Sequence, residues 1–147
     1  MLQCKNYLQC PFIFISNDTI VLEEIPKPDT NFLGYSTERD VTQFRSFKLK
    51  ADSVLELYEK GAMGDMRPYI GVAGIKDFEE FWKVLENDKE EFIRIGESAG
   101  IRYMLRKNIA FKGIFFNWFD TGNLRDLERT ENILMEIKIH FAKDNGN

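Results

Sequence analysis

Two short segments, far apart in the sequence, constrain this chain more than anything else in it. Pro11 to Thr19 (PFIFISNDT) and Phe115 to Asn123 (FFNWFDTGN) are each a run of aromatic and β-branched residues that stops at an Asp followed by Thr. An apolar run without alternation reads as a buried strand, and an Asp at its end carries a carboxylate out of the core, where α/β proteins bind ligands. The two acids, Asp18 and Asp120, cooperate only if the fold brings the two strand ends together. If it does, they make an oxygen-rich site suited to Mg²⁺.

The pattern between these segments is mixed. Phe12 to Ser16 reads as a buried strand, and Thr19 to Leu22 extends or restarts it. Pro26 and Pro28 make Glu23 to Asn31 a loop or an edge. Phe32 to Tyr35, Phe44 to Leu49 and Val54 to Tyr58 are short strand candidates, and Tyr69 to Ile75 is a strong one. Gly71 and Gly74 in that strand mark points of close backbone approach or simple strand packing. Gly61 to Pro68 reads as a flexible connection. Asp77 to Asn87 predicts a helix capped by Asp77, with Phe78, Phe81, Trp82 and Leu85 at helical spacing. The charge run Glu86 to Glu91 reads as a solvated helix end and loop. Gly96, Glu97 and Ser98 precede a shorter helix carrying Ile101, Met104 and Leu105 on one face. Ile109 to Trp118 is a third strong strand, broken near Gly113. Leu124 to about Lys143 predicts a long helix with Leu127, Leu134, Ile137 and Phe141 facing inward, opened by a capping pair of Asn123 and Asp126. The tail from Asp144 is expected to fray. The sum is an α/β domain whose terminal helix packs on a sheet.

Composition narrows the class. The 147 residues fit one domain with a real core. Aromatics make up 14%, with 13 Phe, which favours a thick sheet-backed core over a thin bundle. A net charge of −4 argues for no nucleic-acid or membrane partner, and the apolar runs are too short to span a bilayer. Nothing resembles a signal peptide. The two cysteines, Cys4 and Cys10, read as free thiols in a reducing cytoplasm, and their spacing matches no zinc site.

Five segments, in order, resemble those of the sugar-1-phosphate nucleotidyltransferases, including divergent members found beside surface-polysaccharide genes. Phe14 to Thr19 resembles the strand ending in an Asp that holds the catalytic Mg²⁺. Tyr58, Glu59, Lys60 and Gly61 resemble the Glu-Lys-Pro segment that contacts the sugar, with Gly61 in place of Pro. Tyr69 to Ile75 resembles the next strand, with Gly74 as its sugar-facing glycine. Gly96 and Glu97 resemble a Gly-Glu pair that opens a later helix. Trp118 to Gly122 resembles the Trp-x-Asp-Thr-Gly segment bearing the second metal-binding Asp. The resemblance implies a partial Rossmann-like mixed sheet of the nucleotide-diphospho-sugar transferase type with flanking helices. It implies metal ligands Asp18 and Asp120, and substrate contacts Glu59, Lys60, Gly74 and Glu97. It also implies Mg²⁺ as cofactor, a sugar 1-phosphate and a nucleoside triphosphate as partners, and cytoplasmic synthesis of polysaccharide precursors.

One departure is large. That family begins with a strand and a Gly-rich, Arg-bearing loop that cradles the triphosphate. Asp18 lies only 17 positions after Met1, so the resemblance implies that residues 1–147 match the C-terminal portion of such a domain, as part of a longer protein, as a truncated reading frame, or as a chain that borrows the missing half from a partner. Without its usual neighbours the Phe12 to Ser16 strand exposes an apolar edge, which predicts self-association or pairing with a missing N-terminal half. A non-catalytic sugar-phosphate-binding remnant, or a subunit of a catalytic homologue, is the alternative. Asp120-Thr121-Gly122 also matches the Asp-Thr-Gly of aspartic proteases, but the helical pattern after Gly122 argues against that fold. For single residues the plain readings are a turn for each Asp-Thr, a solvated turn for Glu59 and Lys60, and a boundary position for the lone His140.

Overall fold

The computed structural model describes residues 1–37 and 40–144, with side chains of the last helix described to residue 137. Its frame is a six-stranded mixed sheet of β1 (Phe12–Ile15), β3 (Phe32–Tyr35), β4 (Ser46–Lys50), β5 (Ser53–Tyr58), β6 (Arg67–Ile75) and β7 (Lys112–Phe115). The order across the sheet is β1-β6-β3-β7-β5-β4, and β4 returns to bond the start of β6 at Ser46↔Pro68 and Phe47↔Arg67. Among the described residues only the β3–β7 pair is parallel. A separate two-stranded ribbon pairs β2 (Thr19–Val21) with β8 (Trp118–Asp120) in antiparallel register, Thr19 opposite Asp120.

The central strand β6 is nearly all buried. Its period-2 alternation sends Tyr69, Ala73 and Ile75 into one apolar cluster, and Ile70 and Val72 into another. The first cluster packs the sheet against a layer of short helices: α1 (Phe78–Trp82), α2 (Val84–Asn87), α3 (Lys89–Ile95) and α4 (Glu97–Arg106). Phe12, Phe81, Trp82 and Phe92 form its aromatic centre, with ring centroids 4.9–6.1 Å apart. The second cluster, Phe32, Ile70, Val72 and Phe116, lies against Val21 and Trp118 of the ribbon. Gly74 belongs to this packing: a Cβ there would stand 2.0 Å from the Phe32 ring. Asn31, buried, ties the layers together. Its Oδ1 accepts from the N–H groups of Lys76 and Asp77, and its Nδ2 donates to Asp77 and the Ala110 carbonyl.

Several expectations are corrected. The helix expected from Asp77 to Asn87 is broken at Lys83, and Asp77 does not cap it, because the Asp77 carboxylate accepts from Asn31 instead. The charge run is not a loop beyond Asp88: that carboxylate accepts from the Glu91 N–H at 3.0 Å and starts α3. The strand expected over Ile109 to Trp118 is two strands. Glu23 takes the backbone N–H of Asn117 and separates β7 from β8. The last helix, α5 (Leu124–Asp144), opens on the expected pair, with the Asp126 N–H donating to Asn123 Oδ1 at 3.0 Å. Among the described residues it rests on β8. Leu127, expected inward, is 47% exposed, and among the described residues Thr130 is the buried one of this helix. The side chains of His140 and Phe141 and the tail 145–147 lie outside the described residues. Both cysteines are exposed and free. Among the described residues no helix is long and apolar enough to cross a membrane.

Candidate active site

The ribbon sets the two acids side by side. Asp18 immediately precedes β2 and Asp120 closes β8, and antiparallel pairing puts Thr19 opposite Asp120. The crossing is fixed by Thr121, whose backbone N–H and hydroxyl both donate to the Asp18 carbonyl, at 2.9 and 3.1 Å. Gly122 lies against both carboxylates. A Cβ built on it would be 3.1 Å from Asp120 Oδ1 and 3.2 Å from Asp18 Oδ2. The two oxygens are thus no farther apart than those distances laid end to end. The Gly122 N–H donates to Asp120 Oδ1 at 2.9 Å, and Thr130 of α5 holds the Asp120 carbonyl from behind.

Both acids open onto a cavity of about 620 Å³. Its walls mix charge and aromatic surface: Asp18, Asp120, Asp126 and Glu97 carry negative charge, Arg45 and Lys60 positive, and Phe44, Tyr69 and Trp118 supply rings. Phe44 and Trp118 meet edge to face at 5.0 Å. Burial pushes the Asp120 carboxyl above its ordinary range; Asp126 and Asp18 add to this, while the Gly122 N–H and Lys60 oppose it. Such crowding of acids favours a bound cation. Among the described residues no three His, Cys, Asp or Glu side chains converge to cage a metal. The donor set fits Mg²⁺ all the same, since that ion takes one or two carboxylates and keeps its remaining positions for water and phosphate.

The other sequence candidates fall in different places. Lys60 lines the cavity. Glu97, at the start of α4, also lines it; burial raises its carboxyl above the usual range, and Arg45 opposes that. Glu59 is not on the cavity wall. It is held between Arg45 Nε at 3.1 Å and Arg102 Nη2 at 3.3 Å, and borders a second cavity of about 440 Å³ with Glu91 and Arg106. Gly74 is under Phe32, away from the cavity. The β6 glycine at the wall is Gly71, left-handed at φ +74°, where a Cβ would meet Ser16 Oγ at 2.4 Å and Ser16 Cβ at 2.6 Å. Its carbonyl accepts from the Ser16 N–H, and the Thr19 hydroxyl donates to the next carbonyl back, that of Ile70. This close contact lets the end of β1 cross β6 and deliver Asp18.

Arg45 was not marked by the sequence. It enters because β4 turns back on β6, with the Tyr69 N–H donating to its carbonyl at 2.8 Å. Its guanidinium joins Glu59 to Glu97, the latter at 3.5 Å.

No family model matches the sequence, and no curated protein matches it. Solved structures do match in fold. One from Bacillus anthracis, described as a glucose-1-phosphate thymidylyltransferase and solved with sucrose, superposes with a TM-score of 0.74 at 14% identity over 89% of this chain. A UTP-bound UGPase from Acinetobacter baumannii gives 0.67 at 15% over 95%. An inositol-1-phosphate CTP transferase from T. maritima gives 0.58 at 12% over 84%. The chain spans 57%, 59% and 54% of those proteins' lengths. It therefore has the mixed α/β fold of the sugar-1-phosphate nucleotidyltransferases across most of its own length.

Proposed function

We propose, from this fold, that the chain is the sugar-phosphate- and metal-binding portion of a sugar-1-phosphate nucleotidyltransferase. The observation that supports this best is the meeting of Asp18 and Asp120 at one wall of a polar cavity. The reaction is attack of a sugar-1-phosphate oxygen on the α-phosphorus of a nucleoside triphosphate, releasing pyrophosphate. It needs no protein nucleophile, only positioning and neutralisation of charge. Asp18 and Asp120 hold Mg²⁺, which when bound offsets phosphate charge. Lys60 meets the sugar phosphate. Glu97 accepts from sugar hydroxyls. Glu59 orients Arg45 rather than touching sugar. The setting is cytoplasmic synthesis of polysaccharide precursors.

A second reading, a subunit or sugar-phosphate-binding remnant that pairs with a catalytic homologue, draws on one feature. Among the described residues β1 bonds only β6, so its other edge is open, and Ile15 on it is 50% exposed. Such an edge recruits another strand. The test is titration calorimetry of Mg²⁺ with glucose 1-phosphate on the natural chain, Asp18→Ala and Asp120→Ala. Heat from the natural chain alone supports the site, and equal heats from all three remove it. Addition of a nucleoside triphosphate then separates an active chain from a binding subunit by release of pyrophosphate.

A further inference from the structure

We propose that Tyr69 is a specificity-determining residue whose hydroxyl, together with Glu97, reads one hydroxyl group of the sugar ring. The inference rests on the substrate class proposed above and adds the residue that discriminates within it.

The starting point is an unmet hydrogen bond. Among the described residues four buried side-chain atoms lack a hydrogen-bond partner: Ser46 Oγ, Glu59 Oε1, Tyr69 Oη and Trp118 Nε1. Glu59 Oε1 still faces a guanidinium at 3.3 Å. Of the other three, Tyr69 and Trp118 line the same cavity, the one that holds the two acids. Leaving a buried polar group unpaired costs about 1–3 kcal/mol, so two orphans in one cavity call for an occupant.

Tyr69 cannot escape to water. Its residue is 6% exposed, its ring belongs to the main apolar cluster, and its backbone N–H is fixed to Arg45. Burial, reinforced by the charge of Glu97 and opposed by Arg45, pushes the phenol well above its ordinary range, so the hydroxyl keeps its proton and stays a donor.

The neighbouring carboxylate decides the ligand chemistry. Glu97 lines the same cavity and takes Ser98 and Arg45 on its Oε1. A phosphate oxygen brought to Tyr69 would be repelled by Glu97, and the nearby cation is already neutralised by Glu59 and Glu97. A sugar hydroxyl suits both groups at once, accepting from Tyr69 and donating to Glu97. Trp118 Nε1 offers a second neutral donor to the same ring. Charge is thus divided along the cavity, with the phosphate at Lys60 and the cation at Asp18 and Asp120, and the neutral polyol at Tyr69.

The test is Tyr69→Phe, which deletes one oxygen. Calorimetry with Mg²⁺ compares glucose 1-phosphate with its 2-, 3-, 4- and 6-deoxy analogues on both proteins. The natural chain is expected to bind one analogue about tenfold more weakly than the parent. Tyr69→Phe is expected to bind the parent as weakly as that analogue and to lose the discrimination. Equal affinity of Tyr69→Phe and the natural chain for the parent overturns the inference while leaving the substrate class intact. No binding of any of these sugars by the natural chain removes the substrate class and this inference with it. Thermal unfolding without ligand supplies an independent check. A midpoint equal to or above that of the natural chain fits an orphaned hydroxyl, and a lower one reveals a structural partner and overturns the proposal.

Discussion

Gly71 offers a quantitative test of how the site is assembled. In Gly71→Ala two penalties act. An L residue held in the left-handed region costs about 1–2 kcal/mol. The new methyl would also stand 2.4 Å from Ser16 Oγ and 2.6 Å from Ser16 Cβ. The hydroxyl can rotate away, but Cβ cannot, because the Ser16 N–H donates to the Gly71 carbonyl at 2.8 Å and fixes the backbone. Relief requires the end of β1 to move off β6, an overpacking cost of about 1–3 kcal/mol. Gly61 supplies the control. It too has a positive φ, +93°, and a Cβ there meets nothing within 4 Å. Gly61→Ala therefore carries the backbone term alone, and the unfolded-state gain from replacing Gly is common to both. Urea unfolding is expected to show Gly71→Ala less stable than Gly61→Ala by about 2 kcal/mol. Because the shift displaces Asp18, the Mg²⁺-dependent heat should fall in Gly71→Ala and persist in Gly61→Ala. Equal losses of stability in the two variants would refute the argument that a close β1–β6 contact positions the acid.

Three further outcomes are expected. Gly74→Ala should destabilise by about 1–3 kcal/mol through the Phe32 ring yet leave sugar-phosphate affinity unchanged, measured by chemical denaturation and calorimetry on the same preparation. Asn31→Ala strands the N–H groups of Lys76 and Asp77 and the Ala110 carbonyl, and should cost about 2–4 kcal/mol in urea unfolding. For Asp120, a carboxyl whose folded pKa is raised holds its proton more tightly when folded, so stability declines as pH rises from the unfolded value near 3.8 through the raised one. Asp120→Asn should therefore unfold at a higher temperature than the natural chain at neutral pH, with the gap closing below that window. Mg²⁺ should narrow the gap at neutral pH by stabilising only the natural chain.

What the sequence made legible, and what it hid, follows from the range of the forces involved. Strand ends at Asp18 and Asp120 were readable because a buried apolar run that halts at Asp-Thr is a local signal. The Asn123–Asp126 cap was readable for the same reason. The lost cap at Asp77 was not, since the residue expected to start the helix is drawn to Asn31 across the fold. The Asp88 cap was masked by the acidic run around it. Arg45 and Tyr69 carry no local mark as site residues, and Gly71 is marked only as a point of close backbone approach or strand packing. Arg45 meets Tyr69 because β4 folds back to pair with the first residues of β6, and Gly71 meets Ser16 because β1 pairs on the other side; both contacts are decided by sheet closure rather than by any window of sequence. The case of the two glycines is sharper. Family likeness pointed to Gly74, yet β6 alternates faces, so Gly74 meets Phe32 in the core. Gly71 has the left-handed backbone and stands on the cavity wall beside Ser16. Resemblance located the strand; the register of β1 against β6, which pairs Ile15 with Val72, decides which of its glycines stands on the cavity wall. Among the described residues the same register leaves the outer edge of β1 unpaired, so any strand added there would extend the sheet at the wall that carries Asp18.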